Sequence, residues 1–568
     1  KKRDALTAAG MNPYSATSAV THTNAVVLAT FPELVASAES ITIVGRVMAL
    51  RLHGALAFAD IFDGTARVQA MFTKEHVGDE LFNLFVATID VGDFVEATGL
   101  AFITKRETQA LQIKSWRVLT KSLAPMPTEH FGIAGEDMRY RKRYLDLLLD
   151  DEVREMFVKK AQFWTVTRKF MVDHGFLEVE TPTLEVTTGG AEARPFKTYH
   201  NDYDMPVYLR ICIGELWQKR LMAAGYPKTF EIGRAYRNEG SSPEHLQEFT
   251  NLEFYWAYAD YRDGMTFVRD LYRTIATEVF GTTKFTMRDH TFDLADEWVE
   301  IDYADTIADK TGIDIHTATI EEMEAKLAEL GVKYDGNNRE RLTDTLWKYC
   351  RKQITGPAFL VNHPTLVAPL AKSRPGTDTV EMFQPIIAGS EVGRGYSELN
   401  DPDDQRARFE VQKALLDAGD DEAMMADWEF VEMLEHGMPP TCGYGFGDRL
   451  FAFLAGKPLR ETQFFPLMKP DNAPANEIPE RKIAVVVLNN SANLLPWQQM
   501  NTVAHLSAKL GVVGGKSLVK FDSISSKDGA IIPLNIQHGI LIKETKTSAD
   551  LYQLLKKATS PKILTTAF

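Results

Sequence analysis

Phe230-Glu-Ile-Gly-Arg-Ala-Tyr-Arg-Asn-Glu239 ends on two residues of opposite charge, Arg237 and Glu239, at a spacing of two. On a strand, residues two apart point to one face, so this pair is expected to share a side. An arginine there can grip a phosphate or a carboxylate through two parallel N–H donors. His245 follows, and then Gln247-Glu-Phe-Thr-Asn-Leu-Glu-Phe-Tyr255, in which an aromatic ring such as Phe249 can stack on a nucleobase. Taken singly, each has a plainer explanation. An Arg–Glu pair on a strand is usually a surface ion pair, and a Phe is usually core. The whole string is too specific for either.

That string resembles motif 2 of the class II aminoacyl-tRNA synthetases, in their lysyl form. Gly175-Phe-Leu-Glu-Val-Glu-Thr-Pro-Thr-Leu184 resembles motif 1, whose proline (Pro182) lies at the dimer interface of that fold. Gly443-Tyr-Gly-Phe-Gly-Asp-Arg449 resembles motif 3. Gly189-Gly-Ala-Glu-Ala-Arg-Pro-Phe196, Glu215-Leu-Trp-Gln-Lys-Arg220, Ala368-Pro-Leu-Ala-Lys372 and Tyr396-Ser-Glu-Leu-Asn-Asp401 also match the family, and the resemblance spans residues 10–470.

The resemblance implies activation of L-lysine with ATP to lysyl-adenylate, then transfer to the 3′ end of tRNA(Lys), by a homodimer. Arg237, Glu391 and Arg449 would be its catalytic residues. Arg237 would meet the α-phosphate and the lysine carboxylate, offsetting charge in the pentacoordinate transition state. Arg449, with His245, would hold the γ-phosphate end of ATP. Phe249 and Arg449 would sandwich adenine, and Glu239 would contact its edge. Glu391, with Gln384, would hold Mg²⁺, because the triphosphate's charge must be neutralised before a carboxylate attacks it.

The lysine pocket carries over in the same way. Glu253, Tyr255 and Glu398 would surround the ε-ammonium, Glu215 and the Gly190 backbone the α-amino group, and Arg237 with Arg394 the carboxylate. Related aspartyl enzymes carry an Arg where this chain has Glu398, so the sign of the selected side chain is inverted. Buried carboxylates left unpaired by a neutral substrate cost several kcal/mol, and such sites can discriminate by roughly 10⁴–10⁵. Two rivals are a paralogue that transfers lysine to a protein and a non-catalytic RNA-binding regulator. The first would lack the N-terminal module, and the second would be expected to lose Arg237, Arg449 or Glu391; this chain keeps all of them.

The chain also departs from the family. Gln384 stands where many members have a second metal-binding carboxylate, and a neutral amide binds Mg²⁺ more weakly. Arg394 stands where many have an Asn, and the sequence leaves open whether it reinforces carboxylate binding or turns outward. Arg210–Glu215 is one residue longer than the common pattern, and motif 3 is one shorter.

These residues need elements to position them. The expected fold is multidomain: an N-terminal β-barrel (OB-fold), a central α+β synthetase domain with an antiparallel sheet and helices, and a small C-terminal α/β domain. Residues 1–40 are expected to be a helical extension and 41–120 the barrel. Its strand runs are Ile41–Leu50, Leu56–Asp63, Ala66–Phe72, Phe94–Ile103 and Gln109–Leu119, with a helix at Glu75–Phe85. Five strands with a helix after the third is the OB order, although another small barrel shares it. Gly45-Arg46, Phe58, Asp63 and Gln69 sit where the family's anticodon-binding module has them. The resemblance then assigns Phe58 to stacking on an anticodon base, with Gln69 and Arg51 on edges or backbone. Residues 121–138 read as a connector and 139–470 as one catalytic domain. Asp151–Gly175 has helical spacing, and the basic cluster Arg139–Tyr144 reads as a solvated helix face.

A Pro/Asn-rich stretch, with 471–480 as linker, separates the last domain, 481–568. That domain holds 11 Lys and Arg against 4 Asp and Glu, a balance of +7 in a chain of net charge −15. Its expected order is β-α-β-β-α: strands at Lys482–Leu488, Ser517–Phe521 and Gly539–Lys543, a helix from Pro496 to Gly511, and a helix capped by Ser548. Lys482–Leu488 and Ala504-His505 look distantly like type-2 peptidyl-tRNA hydrolases. Gln498 stands where those enzymes have a catalytic Lys, so hydrolase activity is not expected, and an auxiliary tRNA contact is the favoured role. A folding or dimer-stabilising appendage is the alternative.

Length and composition bound the rest. At ~100–200 residues per domain, 568 residues hold three or four domains. Hydrophobic residues at 45% and charged residues at 25% fit a globular chain. No apolar run approaches the ~20 residues of a membrane span, and no signal peptide is evident. Three cysteines without a CxxC pair argue against a disulfide scaffold or structural zinc, and for the cytoplasm.

Overall fold

In the computed structural model, alternating small and branched residues close the N-terminal strands into a barrel. Strands β1 (Ser40–His53), β2 (Leu56–Phe62), β3 (Arg67–Thr73), β4 (Phe94–Ile103) and β5 (Gln109–Thr120) run in the closed order β1-β2-β3-β5-β4. Ile43, Ala57, Ala59, Ile61, Ala70 and Phe72 point inward and are fully buried. The helix Asp79–Thr88 follows the third strand and stacks Phe85 on Phe72 at 4.0 Å between ring centres. Three short helices, Lys2–Ala8, Asn24–Ala29 and Phe31–Ser37, add Leu6, Val27, Phe31 and Leu34 to the same core.

The structure describes residues 1–470 except 128–131, 134, 192, 241–244, 288, 335–337, 366–367 and 418–422. Beyond 470 it describes only short strand pairs. The chain divides into two compact units, Lys1–Pro466 and Leu467–Phe568.

After the barrel, β6 (Leu177–Glu178) leads into a three-stranded sheet of β7 (Leu184–Glu185), β8 (Lys197–His200) and β9 (Met205–Leu209). The hairpin β10 (Lys228–Tyr236) and β11 (Glu248–Ala257) follows, then a small hairpin of β12 (Lys284–Met287) and β13 (His290–Asp293). The remaining strands are β14 (Val299–Asp302), β15 (Ala358–Val361), β16 (Met382–Ile387), β17 (Ser390–Glu391), β18 (Arg394–Ser397) and β19 (Thr441–Gly447). The large sheet has the order β14-β15-β16-β18-β19-β11-β10-β6, with β17 paired to β16. It is antiparallel through its centre, and the outer pairs β14–β15 and β6–β10 are parallel. The sheet is therefore mixed at its margins.

The helices Asp151–Asp173 and Tyr261–Ile275 bury Phe163, Phe170, Val268 and Leu271 in the same core as Phe230, Phe254, Tyr444 and Phe446 from the sheet. Asp260 and Asp263 form a capping box that starts the second of these helices. Between β14 and β15, the helices Tyr303–Thr311, Ile320–Glu329 and Arg339–Cys350 build their own cluster around Trp347 and Leu346.

The solvated face expected for Arg139–Tyr144 is corrected at Arg143. Its side chain is fully buried, 2.7 Å from Asp146, and it donates to the carbonyls of Glu461 at 2.6 Å and Gln463 at 3.3 Å. Both terminal nitrogens of the guanidinium are paired, which offsets the cost of its burial, while Nε has no hydrogen-bond partner among the described residues.

In the second unit, Ala484–Val485 pairs in parallel with Thr565–Thr566, and Ile524–Ser525 pairs antiparallel with Ile531–Ile532. The first of these strands falls within the expected Lys482–Leu488. The expected helices, the strands at 517–521 and 539–543, Gln498, His505 and the linker lie outside the described residues.

Candidate active site

Strand alternation builds the site. β11 sends Leu252 and Phe254 into the main core, while Phe249, Asn251, Glu253 and Tyr255 line a cavity of ≈ 460 Å³. β19 complements it: Tyr444 and Phe446 are buried, and Gly443, Gly445 and Gly447 leave room between them. A Cβ on Gly443 would collide with Glu398 Oε1, and one on Gly445 would lie 2.9 Å from Glu253 Cγ. The glycines of motif 3 thus create the space that two carboxylates occupy.

The same cavity is lined by Gly190, Glu215, Arg237, Glu239, His245, Phe249, Glu253, Tyr255, Gln384, Glu391, Arg394, Glu398 and Arg449. Arg237 and Glu239 reach it in a way the sequence pattern did not anticipate. β10 ends at Tyr236, so neither residue is on the strand. The Arg237 amide still donates to Gln247 O at 2.9 Å, but the next one, Asn238, turns to Arg194 O at 2.8 Å and opens the hairpin. The Arg237 guanidinium lies 5.3 Å from the centre of the Phe249 ring. Arg394 is exposed on the cavity wall, and His245 is exposed at its rim.

One region of the cavity is acidic and buried. Glu215, Glu253 and Glu398 are 5%, 7% and 2% exposed. Glu253 accepts from the Ile213 amide at 2.8 Å and from Tyr255 Oη at 3.3 Å. Burial, with the charge of Glu215, pushes its carboxyl up to about 7. Burial also raises Glu398, against the pull of Lys219. Gly190, with φ of +90°, passes so close that a Cβ would lie 2.5 Å from Cys212 Sγ. Cys212, Glu215 and Glu253 come within 4.8 Å of one another, a metal-like cluster. The Cys212 thiol donates to Gly189 O at 3.0 Å, and burial pushes its pKa up, so it stays protonated and is a poor metal ligand. All three cysteines are free and buried.

The acidic region contains a residue that sequence reasoning quoted but gave no role. Lys219, 1% exposed, places Nζ 2.8 Å from Glu215 and 2.5 Å from Glu398. Its signal was its position four residues after Glu215, which sets both on one helix face.

Glu391 lies elsewhere on the wall. Its Oε1 accepts from the Trp347 indole at 2.6 Å and lies 3.8 Å from Arg351. Burial works to raise this carboxyl, but Arg351, the indole N–H, Arg394 and Arg449 outweigh it and hold it below its ordinary value. Gln384 is buried, and its Oε1 accepts from His363 Nε2 at 2.8 Å. Burial pushes His363 down to about 4, so its ring is neutral. Trp347, Arg351 and His363 were not anticipated, because they come from segments remote from the motifs.

The barrel presents a second surface. Ala57 and Ala59 of β2 face inward, so Phe58 and Asp60 face outward, each partly exposed. Register places Phe58 opposite Arg51 and Asp60 opposite Gln69, and Arg51 pairs with Asp60 at 3.1 Å. Arg51, Phe58 and Gln69 therefore share one outer face.

Two family descriptions match the chain: tRNA synthetases class II (D, K and N) over residues 135–469, and an OB-fold nucleic acid binding domain over 41–119. The chain is 42% identical over 476 residues to a lysine–tRNA ligase of Roseiflexus sp. (strain RS-1), covering 83% of this chain and 97% of that protein. It is 40% identical over 439 residues to the lysine–tRNA ligase of Thermotoga maritima, covering 77% and 87%. Against that of Bacillus subtilis it is 39% identical over 474 residues, covering 81% and 94%.

Proposed function

The chain belongs to the lysine–tRNA ligases of the class II tRNA synthetases, and from that membership we propose how its residues divide the work. The lysine carboxylate oxygen attacks the α-phosphorus of ATP in line, the bond to the β-phosphate oxygen breaks, and pyrophosphate leaves. A terminal ribose hydroxyl of tRNA then attacks the adenylate carbonyl and AMP leaves. Arg237 pairs with the lysine carboxylate and the α-phosphate, and Arg394 reinforces the carboxylate. Arg449 and His245 hold the γ-phosphate end. Phe249 stacks on adenine and Glu239 meets its edge. Positioning and charge stabilisation supply the rate, with no covalent intermediate on the enzyme.

The observation that carries this reading is the charge layout of one cavity. Arginines 237, 394 and 449 and the carboxylates of Glu215, Glu253 and Glu398 line the same space, with the carboxylates buried. A ligand that is anionic at one end and cationic at the other satisfies both sets. Glu398 and Tyr255 take the ε-ammonium, and Glu215 with the Gly190 backbone takes the α-ammonium. Glu253, within 4.8 Å of Glu215, joins Glu398 and Tyr255 at the ε-ammonium.

Mg²⁺ fits the residues present. Trp347 and Arg351 engage Glu391 through Oε1, leaving Oε2 to face a cation, and Gln384 Oε1 keeps a second lone pair beyond its His363 bond. One carboxylate and one amide oxygen, completed by phosphate oxygens and water, form a donor set that Mg²⁺ accepts. When bound, the ion neutralises triphosphate charge.

Homodimerisation is supported by exposed apolar side chains around motif 1: Leu177, Leu184 and Val186 are 50%, 52% and 63% exposed. The outer barrel face of Arg51, Phe58 and Gln69 suits anticodon contact. The +7 balance of 481–568 suits an auxiliary tRNA contact. Among the described residues no helix is long and apolar enough to cross a membrane, and three reduced cysteines suit the cytoplasm.

The test is ATP–pyrophosphate exchange with each of the twenty amino acids, on the full chain and on Arg237→Ala. Exchange with lysine alone, and loss of about 10²–10³ or more in the variant with tRNA binding retained, is expected. Parent-level exchange in Arg237→Ala would overturn the assignment.

A further inference from the structure

Lys219 is a buried lysine behind the wall of a pocket whose proposed substrate also carries ammonium groups. It projects from the helix Glu215–Ala223, one turn after Glu215, and its Nζ spans from Glu215 Oε1 to Glu398 Oε2. The rings of Tyr255, Tyr396 and Phe430 surround it at 5.6–5.9 Å from their centres. The Tyr396 hydroxyl donates to the same Glu215 oxygen. Glu398 Oε2 is buried and in ion-pair contact with Lys219, yet it accepts no aligned hydrogen bond among the described residues.

Charge counting gives this arrangement a meaning. When all three are ionised, as a bound cation favours, Glu215, Glu253 and Glu398 bring three negative charges into a buried space, and Lys219 returns one. Two negative charges remain, and lysine supplies two ammonium groups. A buried carboxylate without a counter-ion is costly and takes up a proton instead. A protonated Glu398 would lose its attraction for an ε-ammonium and would tolerate a neutral side chain.

We propose that Lys219 is a specificity-determining and positioning residue: a built-in counter-ion that holds Glu215 and Glu398 correctly spaced and offsets part of their charge, so that the pocket demands a substrate with two ammonium groups. This deepens, and rests on, the assignment of Glu215 and Glu398 to lysine. Lys219 itself does not touch the reacting carboxylate or the phosphates. Its removal therefore acts on lysine recognition and leaves the chemical step.

The experiment is lysine-dependent ATP–pyrophosphate exchange on the full chain as parent, Lys219→Met and Lys219→Arg. Each is also assayed with norleucine, which is lysine without its ε-ammonium. For Lys219→Met the lysine KM is expected to rise tenfold or more, with kcat and the KM for ATP within threefold of the parent. The preference for lysine over norleucine in kcat/KM is expected to fall tenfold or more. Lys219→Arg keeps the charge and is expected to hold that preference within threefold. A Lys219→Met preference within twofold of the parent would overturn the proposal. So would a Lys219→Arg preference that falls tenfold, because packing and not charge would then be responsible; this comparison stands even if Lys219→Met does not fold. Absence of lysine-dependent exchange in the parent would refute the functional reading itself, a separate outcome.

Discussion

The indole N–H of Trp347 donates to Glu391 Oε1 at 2.6 Å, tying a buried tryptophan of the inserted helical cluster to a carboxylate on the cavity wall. The contact joins residues 44 apart and crosses from one hydrophobic cluster to the catalytic sheet. Arg351 lies 3.8 Å from the same oxygen.

Trp347→Phe keeps the ring in the core and deletes only the donor. A hydrogen bond to a charged group contributes about 1.5–3 kcal/mol, so exchange should fall about 10–100-fold at limiting Mg²⁺. The loss should shrink as Mg²⁺ is raised, because the cation then orders the carboxylate in the indole's place. Titrating Mg²⁺ in the exchange assay checks this. A loss independent of Mg²⁺ would place Trp347 outside metal binding.

The pH dependence of lysine binding follows from Glu253. Burial, then the charge of Glu215, raises its carboxyl to about 7 from 4.5, against the Ile213 amide and Arg237. A carboxyl raised on folding contributes stability that is fully present below its unfolded value and is lost as pH rises through the folded one. The empty enzyme should therefore lose stability between about pH 4.5 and 7, while the ionised form that lysine needs becomes populated. The rise in Tm caused by saturating lysine should grow severalfold from about pH 6 to pH 8. Glu253→Gln should reduce that slope without abolishing it, because burial also raises Glu398 in the same region. A parent Tm shift that is level across this range would contradict the assignment.

How much of this was legible in the sequence depended on whether a residue's partners were local. The barrel was readable because Ala57, Ala59 and Ile61 alternate with Phe58 and Asp60 at the period of a strand. Gly443–Arg449 was legible only through its resemblance to motif 3; that its glycines alternate with the buried Tyr444 and Phe446 to leave room for Glu253 and Glu398 needed the partner strands. Arg237 and Glu239 were assigned to the right neighbourhood on the wrong element, since the bond from Asn238 to Arg194 that ends the strand involves a residue 44 positions away. Trp347 and His363 were invisible for the same reason. Lys219 was in plain view, but its meaning required Glu398, which arrives from a different strand segment. Arg143 was misread because surface and core arginines look alike until their acceptors are known.

Arg143 offers a test of stability apart from chemistry. Its guanidinium satisfies Asp146 and two backbone carbonyls near the end of the first unit, and packs 5.0 Å and 5.5 Å from the rings of Tyr140 and Phe157. Breaking a buried charge pair costs about 3–5 kcal/mol. Arg139 still holds Asp146 at 2.8 Å, so Arg143→Met should fall at the low end of that range. A Tm several degrees lower, with kcat for exchange unchanged at 25 °C, is the expected result. Scanning calorimetry checks it, and an unshifted Tm would mean that the two carbonyls find water instead.

A Phe58 variant tests anticodon recognition apart from activation. It stands half-exposed on the outer face of β2, opposite Arg51 and beside the Asp60–Gln69 pair, while the barrel core is complete without it. Phe58→Ala should therefore leave folding and lysine-dependent exchange unchanged. A base stacked on an aromatic ring contributes about 1–3 kcal/mol, so the KM for tRNA in aminoacylation should rise about 5–150-fold. Arg51→Ala should weaken tRNA binding and lower its salt dependence, because it removes a cation from that face. An anticodon stem-loop should inhibit the parent and lose that effect on Phe58→Ala. Unchanged charging by Phe58→Ala would move the anticodon contact off this face of the barrel, leaving the adenylate site untouched.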